Sequence, residues 1–73
     1  MLLKDIRPGQ RFQFTDRLTK LVQSPPKGPY TATGTFVFES IAPGTCPMLL
    51  DELTGTHIEV IHSTFYRDVI IIF

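Results

Sequence analysis

The feature that most limits how this chain can fold is its punctuation. Six prolines and five glycines fall within 73 residues. Proline lacks a backbone donor and glycine weakens a helix interior, so this punctuation divides the chain into short, strand-like runs. The segments between them show no helical periodicity beyond a turn or two. They are instead rich in Thr, Phe, Val and Ile, the residues that suit a pleated surface. The chain therefore reads as one all-β domain spanning residues 1–73.

The breaks set the expected order of strands. Ile6-Arg7-Pro8-Gly9 reads as a tight turn with Pro8 at its second position and Gly9 at its third, the pattern of a type II turn. Arg11 to Phe14 then alternates, with Phe12 and Phe14 on one face. Leu18 to Val22 is a further apolar run, a short strand or one arm of a long loop. Ser24 to Pro29 carries three prolines and reads as a stiff exposed loop. Tyr30 to Ile41 is the longest expected strand, with Phe36 and Phe38 sharing a face and Gly34 marking a bulge or bend. After the Pro43-Gly44 turn come strands at Pro47 to Leu50 and Thr56 to His62, joined by a tight connection over Asp51 to Gly55. Residues 63–66 form a 3₁₀ turn, and Arg67 to Phe73 is the last strand. Alternation assigns Phe12, Phe14, Phe36, Phe38, Ile58 and Val60 to a single interior.

Strand, long loop, long strand, turn, strand, tight turn, strand, 3₁₀ turn, strand is an order that resembles the SH3-like barrel. The opening residues, Leu3-Lys4-Asp5-Ile6-Arg7-Pro8-Gly9-Gln10-Arg11-Phe12, are similar to the entry of many small bacterial barrel proteins, some encoded on mobile elements. The resemblance implies a closed five-stranded SH3-like barrel in which the last strand pairs with the first. It speaks to fold and leaves function open.

Composition narrows the means of stabilisation. Cys46 is the single cysteine, so an internal disulfide is excluded. His57 and His62 lie far from Cys46, and no Cys-x-x-Cys or His-x-x-x-His spacing occurs, so no metal or cofactor is expected. Met1-Leu2-Leu3 is too short an apolar opening for a signal peptide, and Val69 to Phe73 is too short for a membrane span. With a lone thiol this indicates a cytoplasmic setting. A chain of this size hides only about 60% of its unfolded surface. A well-packed core or oligomerisation must make up the difference.

The net charge is zero but unevenly distributed. Residues 1–27 carry Lys4, Arg7, Arg11, Arg17, Lys20 and Lys27 against Asp5 and Asp16. Residues 28–73 carry Arg67 against Glu39, Asp51, Glu52, Glu59 and Asp68. Cross-strand neutralisation is the simpler account. The functional account is an anion or nucleic-acid surface built from Arg11, Arg17, Lys20, Lys27 and Tyr30, weak because the chain as a whole is neutral.

Other candidates are sparse. Tyr66 follows the expected 3₁₀ turn, where peptide-binding SH3 modules place an aromatic residue. The chain has no tryptophan, however, and its long loop is basic, so Tyr66 reads first as a plug between the last two strands. His57 and Glu59 share a strand face and form a candidate pair for acid-base work or ligand binding, with no nucleophile beside them. The plasmid-borne type of dihydrofolate reductase, a small barrel with its active site at the centre of a homotetramer, carries a Val-Gln-Ile-Tyr segment. Ile58-Glu59-Val60-Ile61 lacks both its glutamine and its tyrosine, so that activity is not carried over. Cys46 has no neighbouring cation to activate it.

The strongest feature is Val69-Ile70-Ile71-Ile72-Phe73, apolar at every position. If Val69, Ile71 and Phe73 face the interior, Ile70 and Ile72 face out, with Ile61 similarly surplus. An uncovered apolar strand invites association. The expectation is a homo-oligomer, most simply a dimer, with Ile61, Ile70 and Ile72 in the contact. The function that follows is a binding or interaction module. The alternatives are a small enzyme or ligand-binding protein whose site forms between subunits, and a weak nucleic-acid-binding barrel.

Overall fold

The structure, a computed structural model, describes residues 1–16, 20–24, 27–41 and 46–73. It is all-β, with seven strands among the described residues where five were expected. These are β1 (Arg11–Phe14), β2 (Lys20–Val22), β3 (Pro29–Thr31), β4 (Phe36–Ile41), β5 (Pro47–Asp51), β6 (Thr56–Glu59) and β7 (Val69–Ile72). Two 3₁₀ turns, Leu3–Asp5 and His62–Tyr66, complete the described elements. Among them, no helix is long and apolar enough to cross a membrane.

β1, β4, β5, β6 and β7 form one antiparallel sheet in the order β6-β5-β4-β1-β7, and β2 and β3 form a separate hairpin. The last strand does pair with the first, from Arg11↔Ile72 to Phe14↔Val69. Among the described residues no ladder joins β6 to β7, so the sheet is open where a closed barrel was expected. Short bridges cover parts of its two edges instead. Gln23↔Val60 lies against the end of β6, and Leu2↔Asp68 against the start of β7.

Local chemistry explains the breaks. The Arg7–Gln10 turn closes with a 3.1 Å bond from the Gln10 N–H to the Arg7 carbonyl, and Gly9 sits at φ 92°, as a type II turn requires. This turn is anchored to β4 by bonds from Gly9 N–H to the Phe38 carbonyl (2.7 Å) and from Phe38 N–H to the Gln10 carbonyl (3.0 Å). The expected long strand from Tyr30 to Ile41 divides into β3 and β4, because residues 32–35 have no ladder partner and the chain bends at Gly34. The bulge lies further on, where register shifts between Phe38 and Ser40, so that Glu39 and Ser40 both point away from the core. Arg17, Leu18, the Pro43-Gly44 turn and two prolines of the 24–29 segment lie outside the described residues. Pro29 itself belongs to β3, opposite Val22.

All six residues assigned to the interior are buried. Phe12 stacks on Phe36 with ring centroids 5.9 Å apart, and Phe14 meets both edge-on at 5.3 and 5.6 Å. Offset and T-shaped contacts of this kind suit the aromatic quadrupole. Leu3, Ile6, Leu21, Leu49, Phe65 and Val69 extend the same core. Two expectations need correction. Phe73 is fully exposed, because it lies past Ile72, the last residue paired with β1. Tyr66 is exposed as well, and Phe65 takes the plugging role, packed edge-on against Phe38.

Candidate functional site

The outer face of the sheet can be read from its registers. Ile72 pairs with Arg11, Arg11 with Val37, Val37 with Leu50 and Leu50 with His57. One row of side chains therefore crosses all five strands. Ile72, Val37 and Leu50 are half-buried apolar members of it. Its two polar members are each held by a carboxylate. The Arg11 guanidinium donates from Nε to Glu52 Oε1 at 2.6 Å, and His57 Nδ1 lies 2.6 Å from Glu39 Oε1. Beside this row, Gln13 pairs with Ile70 and donates from Nε2 to Thr35 Oγ1 at 2.9 Å. On β5, Met48 lies opposite Glu59.

β7, with the residue that follows it, supplies the most exposed apolar part of this surface. Ile70 is 53% exposed and Phe73 wholly so. Its β-branched residues favour the extended backbone, and β1 holds them in register. The direction of the backbone groups follows from two bonds. Thr15 N–H donates to the Asp68 carbonyl on the β1 side, whereas Val69 N–H donates to the Met1 carbonyl on the opposite side. Alternation then turns the polar groups of Ile70 and Ile72 towards β1, and those of Ile71 and Phe73 to the open edge. Ile61 is not part of this strand environment. It follows β6, at the other end of the strand order, and donates its N–H to the Val22 carbonyl.

The structure separates the proposed ligand residues. His57 and Glu59 do share a face of β6, but the carboxylate that meets His57 is Glu39, on the outer face of β4 two residues after Val37. With His57 neutral, an Nδ1–H donated to Glu39 leaves Nε2 as the acceptor. Tyr66 sits at the end of the second 3₁₀ turn, beside His62 (5.9 Å between ring centroids) and below the Lys4 ammonium (6.0 Å). No described contact joins it to His57 or Glu59.

The basic candidates are likewise dispersed. Glu52 raises the Arg11 pKa further by hydrogen bond and charge, and neutralises its field locally. Lys20 on β2 donates to Thr31 Oγ1 across the hairpin, and Lys27 stands exposed beyond it. Tyr30 is turned inward. Its ring meets Phe36, and its hydroxyl donates to Asp51 Oδ2 at 2.5 Å. Burial first, and then the Asp51 carboxylate, raise the phenol above its ordinary value. The aromatic face needed for base stacking is thus used inside the fold.

Asp51, Glu39 and Glu52 carry structural work that sequence alone did not reveal. Asp51 is buried, and its second oxygen accepts the Leu53 N–H at 3.0 Å, which shapes the β5–β6 turn. An acid two residues before a turn amide is the signal that points to this role. A shallow cleft of about 400 Å³ lies between that turn and β1, lined by Arg11, Thr33, Gly34, Thr35, Glu52 and Leu53. A smaller apolar recess of about 270 Å³ is lined by Val22, Gln23, Gly28 and Pro29. Among the described residues, no three His, Cys, Asp or Glu side chains are grouped to hold a metal ion. Compared with protein families, with curated proteins and with solved structures, the chain matches none.

Proposed function

We propose that this chain is a small SH3-like barrel that works as a homo-oligomeric interaction module. The order β7-β1-β4-β5-β6, with a hairpin filling the first long connection and a 3₁₀ turn before the last strand, supports the SH3-like reading. The observation that carries the functional reading is the exposure of Ile70 on, and Phe73 just past, an edge strand with no charged side chain from Val69 to Phe73. Edge strands that act alone are usually blunted by charge, proline or a bulge. β7 has none of these. Sedimentation equilibrium tests the proposal: the expected mass at high micromolar concentration is a multiple of 8.3 kDa. A protein that stays at that single mass throughout overturns it.

A second reading has one observation in its favour. His57 is oriented by Glu39 at 2.6 Å and ends the apolar row, so association over that row would place an imidazole at the border of a shared site. A ligand of that site would perturb the His57 ring resonances in an NMR titration. His57 resonances that stay fixed across a fragment library count against it.

A further inference from the structure

We infer that the two 3₁₀ turns form a binding surface for single-stranded nucleic acid, with one base stacked on Tyr66 and its flanking phosphates held by Lys4 and Arg67. The inference goes beyond the homo-oligomeric reading above and stands on other residues.

The second turn, His62–Tyr66, is anchored from below. Thr64 and Phe65 are buried, and Phe65 packs edge-on against Phe38 of the core. His62 lies three residues before Phe65, the spacing at which 3₁₀ side chains eclipse, and their rings meet at 5.5 Å. Tyr66 is left on the outside, 59% exposed and braced by His62 at 5.9 Å. Its hydroxyl has no hydrogen bond among the described residues. A broad ring is thus held in water on a fixed turn, which lowers the ordering cost of binding.

The first turn, Leu3–Asp5, brings charge to that ring. Leu3 N–H donates to the Arg67 carbonyl at 3.0 Å, which ties the turns together, and the Lys4 ammonium lies 6.0 Å from the Tyr66 ring centroid. Arg67 is the next residue after Tyr66, and its N–H donates to the Thr64 carbonyl. Both cations are exposed, and neither has an ion pair among the described residues. Arg7, two residues beyond the first turn, has none either. Arg11 differs, because Glu52 neutralises it. Two acids lie near. Asp68 is bonded to the Met1 nitrogen at 2.9 Å, and Asp5 stands beside Lys4 with no side-chain partner among the described residues. The unpaired cations therefore outnumber the unpaired acid.

An exposed ring among unpaired cations matches a ligand that alternates flat rings with negative charges. Single-stranded nucleic acid has that alternation. A duplex keeps its bases stacked inside, an acidic peptide offers charge without the flat ring, and a cationic ligand is repelled by Lys4 and Arg67.

The test compares two probes at low salt, where phosphate contacts count most: a fluorescent oligothymidylate and an abasic oligomer with the same number of phosphates. By anisotropy, the wild type should bind the oligothymidylate at least about fivefold more tightly, the share of one stacked base. Tyr66→Phe should keep that difference, and Tyr66→Leu should abolish it. Lys4→Gln and Arg67→Gln should weaken both probes alike, each flattening the slope of log affinity against log salt by about 0.7. Fluorescence gives a check that leaves the site unaltered. The chain has no tryptophan and two tyrosines, so in Tyr30→Phe the emission comes from Tyr66 alone. The oligothymidylate should quench it and the abasic oligomer should not. Overturning results are no binding of either probe, equal binding of both by the wild type, a base preference that survives Tyr66→Leu, or polyglutamate bound as tightly as the oligothymidylate. None of these touches the oligomer, which sedimentation decides.

Discussion

Tyr30→Phe tests how the β2–β3 hairpin is fastened to the sheet. Tyr30 lies on β3, whereas Asp51 closes β5, and their 2.5 Å bond ties the hairpin to the sheet. Removing the hydroxyl leaves the phenyl ring on Phe36 and costs little packing. It deprives a buried carboxylate of one of its two described donors, the other being Leu53 N–H. A hydrogen bond to a charged group is worth about 1.5–3 kcal/mol. Tyr30 is only half-buried, so water replaces part of that, and the expected loss is about 1 kcal/mol. In a domain of this length, this lowers Tm by about 4–8 °C. The pH dependence gives a second, independent check. The phenol is raised in the folded protein, by burial first and then by Asp51. The neutral form is therefore the one that folding favours. Its contribution is complete below the unfolded phenol value of about 10 and declines as pH rises through the higher folded value. Thermal melts of wild type and Tyr30→Phe should differ by a constant amount at neutral pH and converge in alkali. Equal Tm values at pH 7, or a difference that does not shrink above pH 10, would refute the reasoning.

The other predictions concern the turn, the core and the basic residues. Gly9→Ala should cost about 1–2 kcal/mol by urea unfolding, because the residue sits at φ 92° with nothing within 4 Å of an added Cβ, which makes the cost conformational. Phe36→Ala should cost about 3–5 kcal/mol, while its neighbour Val37→Ala, on the outer face, should cost about 1 kcal/mol or less. A chain of this length has about 4–11 kcal/mol to lose, so the first variant should give up a large share of it and melt at least about 12 °C lower by circular dichroism. Binding of a fluorescent oligothymidylate should be no tighter than about 10⁻⁴–10⁻⁶ M at physiological salt, and Glu52→Gln, which frees Arg11, should strengthen it. Anisotropy titrations with no gain in the variant would remove Arg11 from any anion surface.

The interior was legible because strand alternation survives translation into structure. Phe12 and Phe14, Phe36 and Phe38, Ile58 and Val60 are each two apart and each buried. The 3₁₀ turn was legible from the short run between two strand patterns, with its start one residue earlier, at His62. What escaped depends on pairing between distant segments. Residues 30–41 are mostly strand formers, and Gly34 signalled a bend within one strand; what divides β3 from β4 is that residues 32–35 have no ladder partner. The His57–Glu39 contact needs the pairing of β4, β5 and β6 to bring two outward residues 18 positions apart together, whereas Glu59 was the nearer acid in sequence. Tyr30 resembled a surface aromatic because its acceptor, Asp51, lies 21 residues away.

The same distinction bears on function. A single interior accounts for alternate residues of every strand, and what remains on the outside must be explained separately. On β4 and β5 the outward residues Val37 and Leu50 are half-buried within the sheet's own row, next to Arg11 and His57, each of which is matched by an acid. On β7 that compensation stops. Ile70 faces only Gln13, and Phe73 lies beyond the ladder altogether. Burying Ile70 would recover about half of the 1.5–3 kcal/mol that a fully buried isoleucine contributes, and a two-fold contact would count such a gain twice. A fold with so little interior has few other sources of that size. The strand that ends the open sheet is therefore also the one whose outer face its own neighbours cover least.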